Sequence, residues 1–146
     1  MKEFLADASV LLKWYLSEDE PHLEQALELR RQFVGATVRL EIPELALVEL
    51  ANRLCREKSN GEALFLGALE LFQNPLPFSA ETLAVAFHLA RQERSRGHKQ
   101  VTVHDAVYIA AALEHSLTLV TSDAVQYQAA RRAGCPVMHI REWGQA

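Results

Sequence analysis

Cysteine is almost absent from the sequence, with Cys55 and Cys135 as its whole complement. Neither belongs to a C-x-x-C pair or a Cys/His cluster, so no zinc site is expected, and both read as small buried apolar residues. Long apolar runs are missing as well: none approaches the roughly 20 residues that span a bilayer. Glu3, Asp7 and Lys13 break up the apolar stretch that an export signal would need, which makes the cytoplasm the expected compartment. A phosphate-binding loop of the G-x-x-x-x-G-K type does not occur, and this disfavours nucleotide hydrolysis. Nor is there an excess of basic residues: 15 Lys and Arg against 19 Asp and Glu leave a net charge of −4. That balance excludes a strongly basic nucleic-acid coat. It leaves room for a nucleic-acid partner if several acids gather around a cation, because the remaining surface is then close to neutral. With no repeat, low-complexity segment or linker, the 146 residues read as one domain spanning positions 1–146.

What the sequence does contain is an alternation of short apolar runs and helical periodicity. "EFLAD" reads as a buried strand, and "SVLLKWYLSE" continues with helical spacing. "PHLEQALELRRQFV" reads as a helix with Pro21 in its first turn and Gly35 at its close. "TVRLEIP" alternates as a strand with one wet face, and "PELALVELANRLCREK" sets Leu47, Leu50 and Leu54 on one helical face. "EALFLGALELFQ", "SAETLAVAFHLARQER", "TVHDAVYIAAALEHS" and "AVQYQAARRAG" read as further helices, with "NPLP" as a turn and "LTLVT" and "PVMHI" as strands. Strands separated by helices predict a parallel sheet covered on both faces. Ligands in such sheets collect beyond the carboxyl ends of the strands, where the strand order reverses. Asp7 and Asp123 each follow a strand and fall in that kind of position.

Every acid of interest also has an ordinary structural reading. Asp7 suits the N-cap of the following helix, with Ser9 as a second cap or a supporting hydroxyl. Thr102 and Asp105 have the spacing of a capping box. Asp123 suits another N-cap, although Thr121 and Ser122 crowd more oxygen into that turn than one cap requires. Glu49 lies mid-helix on the side away from Leu47, Leu50 and Leu54, where an i,i+4 pair with Arg53 would serve it. Taken together, four carboxylates with Ser9, Asn52, Thr121 or Ser122 form a candidate oxygen-only site. Carboxylates brought close repel one another unless a cation intervenes. Mg²⁺ suits a few carboxylates plus water and phosphate oxygens, so the residue types point to metal-assisted phosphodiester hydrolysis. No nucleophile–base arrangement for acyl transfer is evident. An aspartyl phosphatase would need an acid where Ser9 stands. A receiver domain would need an acidic pair beside the first strand and a later lysine, and both are missing.

With these stretches in hand, the chain resembles the PIN-domain ribonucleases, and in size the VapC-type toxins of toxin–antitoxin pairs. The resemblance rests on "LADASVLLKWYL", "PELALVELANRL", "TVHDAVYIAAALEHSLTLVTSDAVQY" and "AGCPV", which occur in the family's order from one end to the other. Asp7, Glu49, Asp105 and Asp123 match the family's acidic quartet, which binds the metal and carries catalysis. Ser9 and Asn52 fall where supporting polar residues lie, and Thr121 matches the hydroxyl residue two before the last acid. His104 departs from the tyrosine that many relatives carry. The resemblance implies an α/β/α sandwich around a mainly parallel sheet of four to five strands, Mg²⁺ or Mn²⁺ in an acidic pocket, and endonucleolytic cleavage of RNA. It also implies a homodimer silenced by a small antitoxin. The rival reading is a PIN-like RNA- or protein-binding module with little or no catalysis.

For the RNA itself, "RQERSRGHK" gathers Arg94, Arg96 and Lys99 at a helix end just before the Asp105 helix. Cations there complement the helix dipole in any fold. They are also the candidate phosphate contacts, which give position and salt dependence without sequence choice. Arg53, Arg56, Arg131 and Arg132 are secondary candidates. Trp14 and Tyr15 read as core or partner contacts, and His22, His88, His115 and His139 receive no role because their spacing is not that of ligands.

Overall fold

All four strands expected from the sequence lie parallel in a single sheet and end at one edge of it. The computed structural model describes residues 1–16, 18–77 and 79–144. Ser17, within the stretch read as the first helix, lies outside them, as do Phe78, Gln145 and Ala146. The strands are β1 (Lys2–Ala6), β2 (Val38–Glu41), β3 (Thr118–Thr121) and β4 (Val137–His139), all parallel and ordered β2-β1-β3-β4. Helices α1 (Ala8–Tyr15) and α2 (Leu23–Val34) link β1 to β2. Four more lead from β2 to β3: α3 (Glu44–Glu57), α4 (Gly61–Leu71), α5 (Ala80–Ser95) and α6 (Val103–Glu114). Helix α7 (Ala124–Arg132) then joins β3 to β4. This is the expected α/β/α arrangement. Leu5, Leu119 and Val120 are wholly buried, as residues of a sheet covered on both faces must be.

The sheet stops at four strands for a local reason. In "NPLP", Leu76 donates its amide to the Ile42 carbonyl at 2.8 Å and accepts from the Glu44 amide at 3.0 Å, forming one parallel bridge beside β2. Pro75 and Pro77 flank it and have no N–H to donate, so the bridge cannot lengthen into a fifth strand.

Three local expectations need correction. Helix α2 begins at Leu23, not at Pro21. His22 takes a left-handed conformation (φ 59°) at its N-cap, and the Pro21 carbonyl accepts from the buried Lys13 Nζ at 2.8 Å. Lys13 is paired with Glu20 at 3.0 Å, so this turn is tied to a buried cation. Cys55 is exposed, because α3 turns its Leu47–Leu50–Leu54 stripe inward and Cys55 lies outside that stripe; only Cys135 is buried. Arg53 pairs with Glu57 at 2.9 Å, which leaves Glu49 free of it. Trp14 belongs to the core: its indole donates to the Ala26 carbonyl at 2.8 Å and stacks on Phe72. Among the described residues no helix is long and apolar enough to cross a membrane.

Candidate active site

The order of strands reverses between β1 and β3, and Asp7 sits at that switch. One residue past β1, it caps α1 by accepting from the Val10 amide, and it is buried, with 3% of its surface exposed. Its Oδ1 also accepts from Ser9 Oγ at 2.5 Å, and its Oδ2 from Thr121 Oγ1 at 2.6 Å. Burial pushes the Asp7 carboxyl up to about 6, against the three donors that pull it down, and the charge of Asp123 adds to the rise. The cap reading and the site reading of Asp7 thus hold together.

The two hydroxyls act as relays. Thr121 Oγ1 donates to Asp7 and accepts from the Asp123 amide at 3.0 Å. Ser9 Oγ donates to Asp7 and accepts from the Ser122 amide at 3.0 Å. The turn 121–123 is thereby stitched to Asp7 from both sides, which explains why it carries three oxygen-bearing side chains. Asp123, exposed at the surface, caps α7 by accepting from the Val125 and Gln126 amides at 2.8 and 3.1 Å through Oδ1 alone.

The second pair of acids comes from α3 and α6. Glu49 is half-buried and its Oε2 accepts from the Tyr108 hydroxyl at 3.1 Å. Burial raises the Glu49 carboxyl above its ordinary value, the Tyr108 bond and the charge of His104 oppose this, and the charge of Asp105 adds to it. Asp105 forms the expected capping box: its Oδ2 accepts from the Thr102 amide and hydroxyl, each at 3.0 Å, while Thr102 Oγ1 accepts from the Asp105 amide. Asn52 stands one turn beyond Glu49 on α3, exposed. Tyr108 joins the two halves, since its oxygen also feels the Ala8 amide, next to Asp7. Its hydroxyl is pushed upward by burial first, then by the charges of Glu49 and Asp7.

Three participants were not anticipated. Tyr108 follows Asp105 by one helical turn, and Gln126 follows Asp123 by one turn; that i,i+3 spacing was the available signal. His139 ends β4 at the same sheet edge, is buried, accepts the Arg141 amide through Nδ1 at 3.1 Å and faces the Ser122 backbone. Burial, then the charges of Arg141 and His22, hold its imidazole below the ordinary range. A ligand-spacing test could not find it, because it supports a loop.

As they stand, the carboxylates do not form one nest: among the described residues no three His, Cys, Asp or Glu side chains converge on a common point. The structure brings Asp7 near Asp123 and Glu49 near Asp105, with Tyr108 between the two pairs. Glu49, Asp105 and Asp123 each engage one carboxylate oxygen in the bonds above, leaving the other without a bond among the described residues. Arg94, Arg96 and Lys99 are exposed on the end of α5 and the loop that runs into Thr102. Arg94 donates to the Lys99 carbonyl at 3.2 Å, and none of the three forms an ion pair among the described residues. Arg132 is committed to the buried Glu93 at 2.9 Å.

Residues 4–132 match the family model of the PIN domain. The chain belongs to the PIN domain family. Solved structures agree with this PIN fold at low sequence identity. FitAcB from Neisseria gonorrhoeae superposes with a TM-score of 0.71 at 21% identity, covering 94% of this chain and 97% of that one. DNA-bound VapBC from Salmonella typhimurium gives 0.71 at 18%, covering 96% and 99%. A toxin–antitoxin complex from Klebsiella pneumoniae gives 0.65 at 21%, covering 94% and 97%. No curated protein matches the chain.

Proposed function

We propose that this PIN domain is a divalent-metal-dependent endoribonuclease, the toxin of a toxin–antitoxin pair, with Asp7, Glu49, Asp105 and Asp123 as its catalytic and metal-binding acids. The observation that carries the reading is the buried Asp7 carboxyl at the β1/β3 switch, tied through Ser9 and Thr121 to the turn that presents Asp123. A solved structural neighbour that is itself a toxin–antitoxin complex, the one from Klebsiella pneumoniae, supports the cognate antitoxin.

The donor set fits Mg²⁺ or Mn²⁺, being all oxygen. Mg²⁺ keeps several of its waters and uses one or two carboxylates directly, so a site with one deep acid and three partly free ones suits it without a closed cage. When bound, such an ion offsets the mutual repulsion of the acids, lowers the pKa of water and stabilises charge on a departing oxygen. The chain's own residues do the rest. Ser9 and Thr121 hold the Asp7 oxygens in place, and Tyr108 orients Glu49, whose second oxygen is left to align a water. The capping box holds Asp105 at the end of α6. Asn52 stands beside Glu49, and Arg94, Arg96 and Lys99 line the approach to α6 as phosphate contacts. Val48, 64% exposed and next to Glu49, with exposed Leu66 and Leu69 on α4, supplies apolar surface for an antitoxin segment. Exposed Leu83 and Phe87, one turn apart on α5, supply apolar surface for a homodimer.

The absence of a three-acid cluster among the described residues favours the rival reading, a binding module with little catalysis. One experiment separates the two. Structured RNA is incubated with wild type and Asp7→Asn, in Mn²⁺ or Mg²⁺ and in chelator. Cleavage by wild type with metal alone is the expected result. RNA binding without cleavage in any metal would select the binding module, and equal cutting by Asp7→Asn would reject the site.

A further inference from the structure

Gln126 is 1% exposed in the first turn of α7, and its Oε1 is buried with no hydrogen-bond partner. Buried polar atoms are nearly always satisfied, so an orphaned one calls for an explanation. A methionine of the same length would fill the space with no stranded oxygen, so stability of the core is not what the amide serves. Its two nitrogens are both bonded. Nε2 donates to the Asp105 main-chain carbonyl at 3.1 Å, and the residue's own amide donates to Asp123 Oδ1 at 3.1 Å.

One buried residue is therefore bonded to both acids that enter from the last two long helices. Asp105 stands at the start of α6 and Asp123 at the start of α7, and no other side-chain hydrogen bond joins these two helix ends among the described residues. Without this bond, no side-chain hydrogen bond among the described residues would join the two helix starts directly, and Asp123 would be held to the rest of the site through Thr121, Ser9 and Asp7 alone.

We propose that Gln126 is a positioning residue that sets the separation of Asp105 and Asp123 for cation binding. The inference rests on the nuclease reading of those acids. With its main-chain N–H on Asp123 and its side-chain Nε2 on the Asp105 carbonyl, the residue holds the two helix starts within hydrogen-bond reach of one side chain, and the unpaired Oε1 is the structural cost of placing that amide in the interior.

The test compares wild type, Gln126→Met and Gln126→Asn. Mn²⁺ affinity is read by titration calorimetry, thermal unfolding by circular dichroism, and hydrogen exchange at the Thr102 and Asp105 amides in chelator. Met removes the donor at constant length, and Asn keeps the amide but cannot reach. Both should bind Mn²⁺ about tenfold more weakly, as supporting residues of metal sites do. Both should exchange faster at Thr102 and Asp105, while the Met variant unfolds at or above the wild-type temperature. A Met variant with wild-type Mn²⁺ affinity overturns the proposal, and so does one that loses thermal stability in step with affinity, since that assigns the residue to the fold. If wild type itself binds no Mn²⁺, the nuclease reading falls and this inference with it. If wild type binds and the Met variant binds equally, this inference alone falls.

Discussion

Asp7 carries two conflicting demands. The fold buries it at a helix start and surrounds it with donors, while burial disfavours its charge, and burial prevails: the carboxyl sits at about 6 against an ordinary 3.8. The sign of its effect on stability follows from that direction. The folded state holds the Asp7 proton more tightly than the unfolded chain, so this group destabilises the fold fully above pH 6, and the penalty fades as pH falls towards 4. A rise of this size corresponds to roughly 3 kcal/mol at neutral pH. Asp7→Asn should then unfold a few degrees higher than wild type at pH 8 without metal, with the gap closing by pH 4 to 5. The same variant should lose RNA cleavage by about a hundredfold or more. Unfolding curves at the two pH values, beside a cleavage assay, check both halves. Tyr108→Phe removes the donor to Glu49 and should cost about 1 kcal/mol, with a loss of cleavage rate and an upward shift in the pH at which Glu49 ionises. A pH–rate profile reads that shift.

At the level of elements, the site depends on how α3 is held. Glu49 projects from one side of α3, and Leu47, Leu50 and Leu54 bury the other. Gly61, the first residue of α4, lies so close to the Leu54 backbone that an added Cβ would collide with its carbonyl oxygen. Helix α4 therefore turns back on α3 only because that position has no side chain. Gly61→Ala should force the two helices apart at a cost of about 1–3 kcal/mol. Denaturant unfolding measures the loss, and because Asp7 and Asp123 belong to other elements, the Tm gain of Asp7→Asn should persist in the double variant.

For the whole molecule, charge and cation binding set the expected behaviour. The net charge of −4 would keep RNA away from an evenly charged surface, and the exposed Arg94, Arg96 and Lys99 offset it at one helix end. Replacing all three by Ala should reduce the slope of log affinity against log salt by about 2 for single-stranded RNA, with the largest loss of binding at low salt. An unchanged slope places the phosphate contacts elsewhere. Divalent cation should raise the unfolding temperature of wild type, by about 2.7 kcal/mol of stability at a hundred times the dissociation constant. Chelator should abolish the increase, and Asp7→Asn should not show it.

The sequence by itself determined the sheet and its layers, because period-2 and period-3.6 patterns are local and the central strands β1 and β3 end in residues apolar enough to be buried on both faces. It also marked the four acids, since each stands at a strand end, a capping position or a wet helical stripe. Other features depended on partners remote in sequence. Arg53 had two acids within one helical turn, and only the packed side chain shows that it takes Glu57. Cys55 looked buried in an apolar stretch until the orientation of α3 was set by what lies beneath it. Thr121, Tyr108, Gln126 and His139 acquire their roles across separations of 114, 59, 21 and 17 residues from Asp7, Glu49, Asp105 and Ser122. Contact at such range follows from the order of strands and the seating of helices on them, which tertiary structure alone decides.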